Sequence, residues 1–189
     1  MRHPVLITAP EELPVTLEAV KQHLRIEASV TEDDAELQEK IAAATQALDG
    51  YSGALGRALV TQTWQMQSSF CGPHIRLPLA PIQSVVITYD DAGDPVTVDT
   101  IDYQLLSDGM GWVLRPLTGS YWPTITSTDS VVTVTFVAGY GAPADVPSDI
   151  RLAIMLDVEM AYDRPEGERF KALRQQYRDI VDRNRRISI

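Results

Sequence analysis

The stretch "YSGALGRALVTQTW", residues 51–64, separates two kinds of residue spacing. Before it, apolar residues recur at steps of three and four, as on one face of a helix. These residues are Leu37, Ile41, Ala44, Leu48 and Tyr51. After it, Val60, Gln62, Trp64 and Met66 occupy alternate positions in a run rich in β-branched and aromatic residues, which is typical of a strand. The sequence thus predicts a helix, a corner and a strand, in this order.

Three glycines mark this corner. Gly50, Gly53 and Gly56 lie three residues apart and are followed by Arg57, a pattern that could suggest a phosphate-binding loop. Such a loop needs a strand before it and a helix after it, so that backbone N–H groups and the helix dipole face the anion. Here the order is reversed. We therefore interpret the glycines as the end of a helix and a turn.

Helical signals also lie on both sides of a long β-like region. Thr16 is predicted to cap a short helix, and Thr31 with Asp34 resembles a capping box for the next one. From about residue 59 to residue 139 the period is two, with hairpin turns predicted at 91–94 and 108–111. After Pro147 helical spacing returns, first in "VPSDIRLAIMLDVEMAYDRPE" and then in "ERFKALRQQYRDIVDRN".

The predicted fold class is therefore α+β. N- and C-terminal helices pack together as one helical body, and an antiparallel β domain is inserted between them. We expect residues 1–58 to form the N-terminal helical part and residues 59–146 the β domain. Residues 147–189 are expected to supply the C-terminal helices and a basic tail that complete the helical body.

Composition excludes several classes of protein. The net charge of −10 over 189 residues argues against a protein that wraps duplex DNA, because phosphate binding depends on accumulated Lys and Arg. A single cysteine excludes an intramolecular disulfide and fits a reducing compartment. There is neither a signal peptide nor an apolar run of membrane length, so we expect synthesis in the cytoplasm and no membrane partner.

No motif predicts catalysis. Cys71 and His74 have metal-ligand spacing, but a closed zinc site needs about four ligands and no second Cys/His pair is present. Nothing in the sequence indicates a third group that would orient them as a nucleophile and base. The acidic residues at 32–36 fit a helix N-terminus instead. We predict no enzyme, no cofactor, and no catalytic, cofactor-binding or metal-binding residues.

The C-terminal end has the opposite charge to the rest of the chain. Residues 168–189 contain seven bases and three acids, whereas residues 1–50 contain four bases and ten acids. One interpretation is a solvated helix face with bases favourably placed near its C-terminus. The other is a segment that docks on an acidic partner surface or on nucleic acid.

The order of several segments resembles a known family, the head–tail connector or adaptor proteins of tailed bacteriophages, prophages and gene transfer agents. The resemblance extends from about Leu13 to Arg186, and it lies in the ordered set of segments and not in any single one. The segments are "PVTLEAVKQHLRI", "DDAELQEKIAAATQALDGYSG" with "GRALVTQTW", "IRLPLAPIQSVVITYDDAGD", "VTVTFVAGYG" and "VPSDIRLAIMLDVEMAYDRPE".

The resemblance implies a structural protein of the virion. Such adaptors form a dodecameric ring beneath the portal at the capsid vertex and have no catalytic residues and no cofactor. The ring joins the portal protein to a stopper or tail-terminator neck protein, and DNA passes through its centre without specific binding. The alternative function is a nucleic-acid-binding packaging accessory that uses the basic C-terminal tail.

Within this framework the basic tail is the predicted docking segment for the portal. The residues expected to carry the contact are Arg178, Arg183, Arg185, Arg186, Ile187 and Ile189. The arginines would pair with carboxylates of the partner. Exposed ion pairs contribute only about 0.2–1 kcal/mol each, so burial of the two isoleucines would have to supply much of the remaining affinity.

Overall fold

The computed structural model describes residues 3–70, 72–91, 93–124 and 131–186. Cys71, Ile187 and Ile189 lie outside the described residues, so the interpretations that involve them stay predictions. The chain divides into two compact units. The β unit contains Thr61–Gly139 and the N-terminal segment up to Ala9, and the helical unit contains Pro10–Val60 and Tyr140–Arg186.

The helical unit is built from two segments that are far apart in sequence. Its helices are α1 (Leu17–Leu24), α2 (Asp34–Leu48), α3 (Ser148–Asp163) and α4 (Gly167–Asn184). A short 3-10 turn, Pro143–Asp145, precedes α3. Helix α3 packs against all three other helices. The α+β fold class predicted from the sequence, a helical body with an inserted antiparallel β domain, is confirmed.

The core of the helical unit is formed by the predicted apolar stripes. Leu37, Ile41, Ala44 and Leu48 of α2 are buried. On α3 and its flank, Val146, Ile150, Ala153, Ile154, Leu156 and Val158 belong to the same apolar cluster. Tyr51 departs from the prediction: it lies beyond the end of α2 and is 40% exposed. Helix α2 ends before the last residue of the predicted stripe, because a turn begins at Gly50. We call this turn, which contains Gly50, Gly53 and Gly56, the glycine corner.

The predicted caps are correct for α1 and wrong for α2. The Thr16 side-chain oxygen accepts a hydrogen bond from the Ala19 amide at 3.2 Å, as an N-cap does. Helix α2 instead follows Asp33, whose side chain makes no capping bond. Asp33 accepts a 2.6 Å hydrogen bond from the Tyr162 hydroxyl, and Asp34 pairs with the buried Lys21 ammonium. Tertiary partners thus occupy the carboxylates that the sequence pattern assigned to capping.

The β unit contains two antiparallel sheets. The five-stranded sheet has the order β1-β2-β8-β4-β5, and the three-stranded sheet has the order β3-β7-β6. The strands are β1 (Val5–Thr8), β2 (Gln62–Ser68), β3 (Ile75–Arg76), β4 (Ile82–Asp91), β5 (Asp94–Thr97), β6 (Tyr103–Asp108), β7 (Gly111–Pro116) and β8 (Val132–Ala138). Both predicted hairpins are present, β4–β5 and β6–β7.

Alternating burial gives the five-stranded sheet its core face. Trp64 and Met66 of β2 are buried, and opposite them Phe136 and Val134 of β8 are buried as well. The alternate residues of β8, such as Thr133 and Thr135, are only partly covered. The period of two that follows the glycine corner therefore places apolar side chains on one face of the sheet.

The limits of the two units differ from the predicted ones at their edges. Residues 1–58 were expected to be helical, yet β1 pairs with β2 through Val5↔Gln65 and Leu6↔Trp64. Strand β1 has only four residues and all four are exposed, so it has no alternating pattern that would have marked it as a strand. At the other edge the β unit ends at Gly139 and not at residue 146, because Val146 is buried in the helical core.

The glycine corner is a helix end and a turn, as predicted. Gly50 has φ 75° and donates its amide to the Arg57 carbonyl oxygen at 2.7 Å. The Asp49 carboxylate accepts the Leu59 amide at 2.7 Å, which secures the far side of the turn. Gly53 is required for a different reason: a Cβ there would lie 2.3 Å from the Asp49 carbonyl oxygen. The backbone itself fills the space of a side chain.

Gly53→Ala should therefore destabilise the protein. We expect the free energy of unfolding to fall by about 1–3 kcal/mol, because the new methyl group forces the end of α2 away from the turn. Thermal and denaturant unfolding measure the change. The control is Gly109→Ala, where a Cβ would meet no heavy atom within 4 Å. Equal stability of the two variants would contradict this account of the corner.

Candidate docking site at the C-terminal helix

The glycine corner holds the end of α4. The Arg186 amide donates a 2.9 Å hydrogen bond to the Leu55 carbonyl oxygen. Arg57 Nε donates to the carbonyl oxygen of Asn184 at 2.8 Å, and the Asn184 side-chain amide donates to Asp149 Oδ2 at 2.7 Å. The sequence did not predict the contact of Arg57 with Asn184, because no local pattern links two residues that lie 127 positions apart. The end of α4 is thereby fixed on the helical unit.

The predicted docking arginines differ in their surroundings. Arg178, Arg183 and Arg185 are exposed. Within the described ranges, their guanidinium groups make no hydrogen bond or ion pair. Arg186 is half-buried, and its backbone is bound to the corner. Ile187 and Ile189 lie outside the described residues.

The structure does not bring these arginines into one cluster. Arg178 lines a groove between α3 and α4, which we call the Asp157 groove. Its lining residues are Asp157, Met160, Ala161, Phe170, Arg174, Tyr177 and Arg178. Arg183 lines a second groove between the same helices, together with Asp149, Leu152 and Ile180. The arginines five residues apart on α4 thus face different surroundings.

Asp157 is the only acidic side chain among the described residues that line its groove; the others are apolar, aromatic or basic. Burial raises the pKa of its carboxyl group above the ordinary value. The same kind of burial, together with the Asp157 charge, raises the pKa of the Tyr177 phenol. In the part of the chain that the structure describes, no donor binds the Asp157 side chain. The sequence carried one signal for it, since Asp157 lies seven residues after Ile150 at an apolar position of the α3 repeat.

A second charged cluster links three helices. His23 of α1 contacts Glu159 of α3, with Nε2 and Oε2 2.9 Å apart. Arg169 of α4 binds Glu159 at 2.9 Å and Asp163 at 2.7 Å. These bonds raise the pKa of the Arg169 guanidinium, with the Glu159 bond as the largest cause. Because each charged group here has an internal partner, we assign the cluster to the packing of α1, α3 and α4.

The β unit exposes apolar side chains of its own. Val5, Leu6 and Ile7 of the edge strand β1 are 60%, 41% and 54% exposed. Ile101 and Tyr121 are more exposed still, at 71% and 88%. Large exposed apolar side chains grouped on an edge strand are typical of surfaces that contact other proteins.

The described residues provide no obvious metal or membrane site. No group of three His, Cys, Asp or Glu side chains in these ranges could hold a metal ion. No helix among them is long and apolar enough to cross a membrane.

Stability should depend on pH through Asp157. Its pKa is raised in the folded chain, so the folded state holds the proton more tightly than the unfolded state. The free energy of unfolding should therefore fall as the pH rises from the ordinary Asp pKa through the raised one. Asp157→Asn removes this loss and should raise the Tm at neutral pH. Thermal unfolding of both proteins from pH 3 to pH 8 measures this effect. The control is Asp182→Asn, which changes an exposed carboxylate. If Asp157→Asn had the same pH profile as the unmodified chain, Asp157 would not be the cause of the pH dependence.

The chain was compared with protein families, with curated proteins and with solved structures. The family model described as "Phage gp6-like head-tail connector protein" matches residues 14–85. Among curated proteins, none matches the chain.

Solved structures match over the full length. A chain of the neck of an empty gene transfer agent (GTA) particle, computed with C6 symmetry, is 24% identical with a TM-score of 0.80. A chain of the native GTA virion is 24% identical with a TM-score of 0.79. A chain of the native GTA neck, computed with C12 symmetry, is 23% identical with a TM-score of 0.72. Each match covers 100% of this chain and 97% of the other.

The family match and the solved structures confirm the resemblance predicted from the sequence. The matched family is one of connector proteins and not of enzymes. The chain is thus similar to phage gp6-like head–tail connectors over residues 14–85, and over its whole length it has the fold of a GTA neck chain.

Proposed function

We propose that this protein is a structural head–tail connector of a tailed phage or phage-like particle. It forms a ring beneath the portal, joins the capsid to the tail or stopper, and lets DNA pass through its centre. The observation that carries this proposal is the agreement of two matches. A connector family matches residues 14–85, and a neck chain matches the whole fold.

The oligomer proposed is a dodecamer. The neck structures with the same fold were computed with C6 and C12 symmetry, and twelve copies satisfy both. A closed ring of identical chains needs two different surfaces on each copy, one for each neighbour. The helical unit offers charged grooves and exposed helix faces for this purpose. The β unit offers exposed apolar side chains.

The proposed location is the virion, at the junction of head and tail. The partners are the portal protein on one side and a stopper or tail-terminator protein on the other. The net charge of −10 supports a channel through which DNA moves, because an acidic wall does not hold phosphates.

A DNA-binding packaging accessory is the alternative, and the ion pairs of α4 weaken it. Helix α4 has five bases and three acids. Two of its bases, Arg169 and Lys171, are paired with carboxylates of this chain. Arg174, Arg178 and Arg183 remain on the helix and Arg185 follows it, and four exposed charges are few for non-specific DNA binding.

Imaging tests the connector function directly. We expect the purified chain, mixed with the portal protein of the same particle, to form twelve-fold rings seated on the portal in negative-stain micrographs. Absence of any portal complex at micromolar concentrations would overturn the proposal. Salt-dependent binding of duplex DNA by the isolated chain would instead favour the packaging accessory.

The segment that docks on the portal is proposed to be the end of the chain, from Arg183 onward. Arg183 and Arg185 are exposed, and the corner fixes the backbone between them. We expect Arg183→Glu with Arg185→Glu to weaken portal binding roughly ten-fold or more, because like charges then face the partner. The Tm should stay nearly unchanged, since neither side chain has an internal partner.

The control for this prediction is Arg115→Glu, which reverses an exposed charge on β7. Removal of residues 187–189 alone tests the contribution of the two isoleucines without disturbing the bonds of Asn184 and Arg186. Portal binding equal to that of the unmodified chain, in both the double variant and the truncation, would show that the basic end is a solvated helix terminus.

A further inference from the structure

We propose that, within the ring, the outer face of α2 from one copy packs into the Asp157 groove of the next copy. This inference rests on the proposed function, because it assigns the contact by which identical chains follow one another around the ring. It is carried by three charged side chains of the groove that have no ion-pair partner among the described residues, Asp157, Arg174 and Arg178, and by the matching groups of α2.

The groove has the features of a surface that is covered in the assembly. Its lining includes the partly buried apolar or aromatic side chains of Met160, Phe170 and Tyr177. Asp157 lies among them with a raised pKa and no hydrogen-bond donor in the described part of the chain. A half-buried carboxylate without a donor destabilises the folded chain. A neighbour that supplies a donor would remove this cost.

The rim of the groove defines the charge of its partner. Arg174 and Arg178, one helical turn apart on α4, both line it. Arg174 lies over the Phe170 ring, with its guanidinium carbon 5.8 Å from the ring centroid. Neither guanidinium forms an ion pair with any described carboxylate. We therefore expect the segment that fills the groove to place a carboxylate near Arg174 and Arg178. The same segment should place an uncharged hydrogen-bond donor near Asp157.

Helix α2 presents such a surface. Its exposed residues include Glu39 and Gln46 on the side away from the core and Gln38 at the flank of that side. Glu39 has no basic partner among the described residues, and either glutamine can donate an amide N–H to Asp157. The same face carries the short alanines Ala35, Ala42 and Ala43, which allow a second helix to approach closely, and the Glu36–Lys40 ion pair lies at its edge.

The arrangement also satisfies the geometry of a ring. The groove belongs to α3 and α4, whereas the matching face belongs to α2, so one copy can use both surfaces at once. Contacts between two different surfaces repeat from copy to copy and close if the rotation is right. Local charge matching is needed here because two chains of net charge −10 repel each other at long range.

A charge exchange between Glu39 and Arg178 is the sharpest test. Glu39→Arg and Arg178→Glu should each reduce the fraction of chains in rings by roughly ten-fold or more, because like charges then meet at every contact. The double variant should restore rings, since each interface again joins opposite charges. Mass photometry and negative-stain imaging, with and without the portal, measure the ring fraction. Arg115→Glu is the matched control and should assemble normally.

Asp157→Asn gives an independent readout. It should raise the Tm of the isolated chain yet lower the ring fraction, because the neighbour's amide loses a charged acceptor. If Asp157 affected only the stability of the single chain, its substitution would not raise the Tm and lower the ring fraction at the same time. Thermal melts of all variants establish that each is folded.

The outcomes separate this inference from the proposed function. If both single reversals form rings as the unmodified chain does, or if the double variant fails to restore them, the pairing of α2 with the groove is wrong while the connector function stands. If the unmodified chain forms no ring even on the portal, both are wrong.

Discussion

The insertion of the β unit depends on one constraint: the chain must leave the helical unit and return to it at neighbouring points. The Tyr140 amide donates a 2.9 Å hydrogen bond to the Leu59 carbonyl oxygen, which joins the two points inside the helical unit. In the β unit the same ends pair as Gln62↔Ala138. Strands β2 and β8 must therefore be neighbours in the sheet, although about seventy residues separate them in the sequence. Helices α2 and α3 can pack together for the same reason.

Most of the fold could be predicted because its elements follow strong periodicity. The apolar stripe of α2, the alternation of β2 and β8, and the glycine corner each combine local propensity with a burial pattern. The errors occur where this agreement is missing. Strand β1 has no buried side chain to mark it. At the start of α2, Asp33 and Asp34 bind Tyr162 and Lys21, which belong to other helices. Sequence spacing contains no record of such distant partners.

The candidate site was only partly predictable. A count of charges shows that residues 168–189 are basic, but it does not show which bases are already used. Arg169 is bound by Glu159 and Asp163, and Arg186 is tied to the corner, whereas Arg178 and Arg183 line separate grooves. Asp157 was visible only as a charged residue within an apolar repeat. The burial of the Asp157 carboxyl group depends on α4, which packs beside it only in the folded chain.

The division of the helical unit between two distant segments also sets the order in which the two units can be completed during synthesis. During synthesis α2 emerges early, but its core partners in α3 and α4 come after the whole β unit. The last residue of α4, Asn184, is added 136 residues after Leu48, the last residue of α2. At about 5–20 residues per second, the apolar face of α2 waits roughly 7–27 s on the ribosome. The β unit can fold first, since its last strand ends at Ala138. The groove between α3 and α4 therefore forms after the β unit, and the core of the helical unit is completed last.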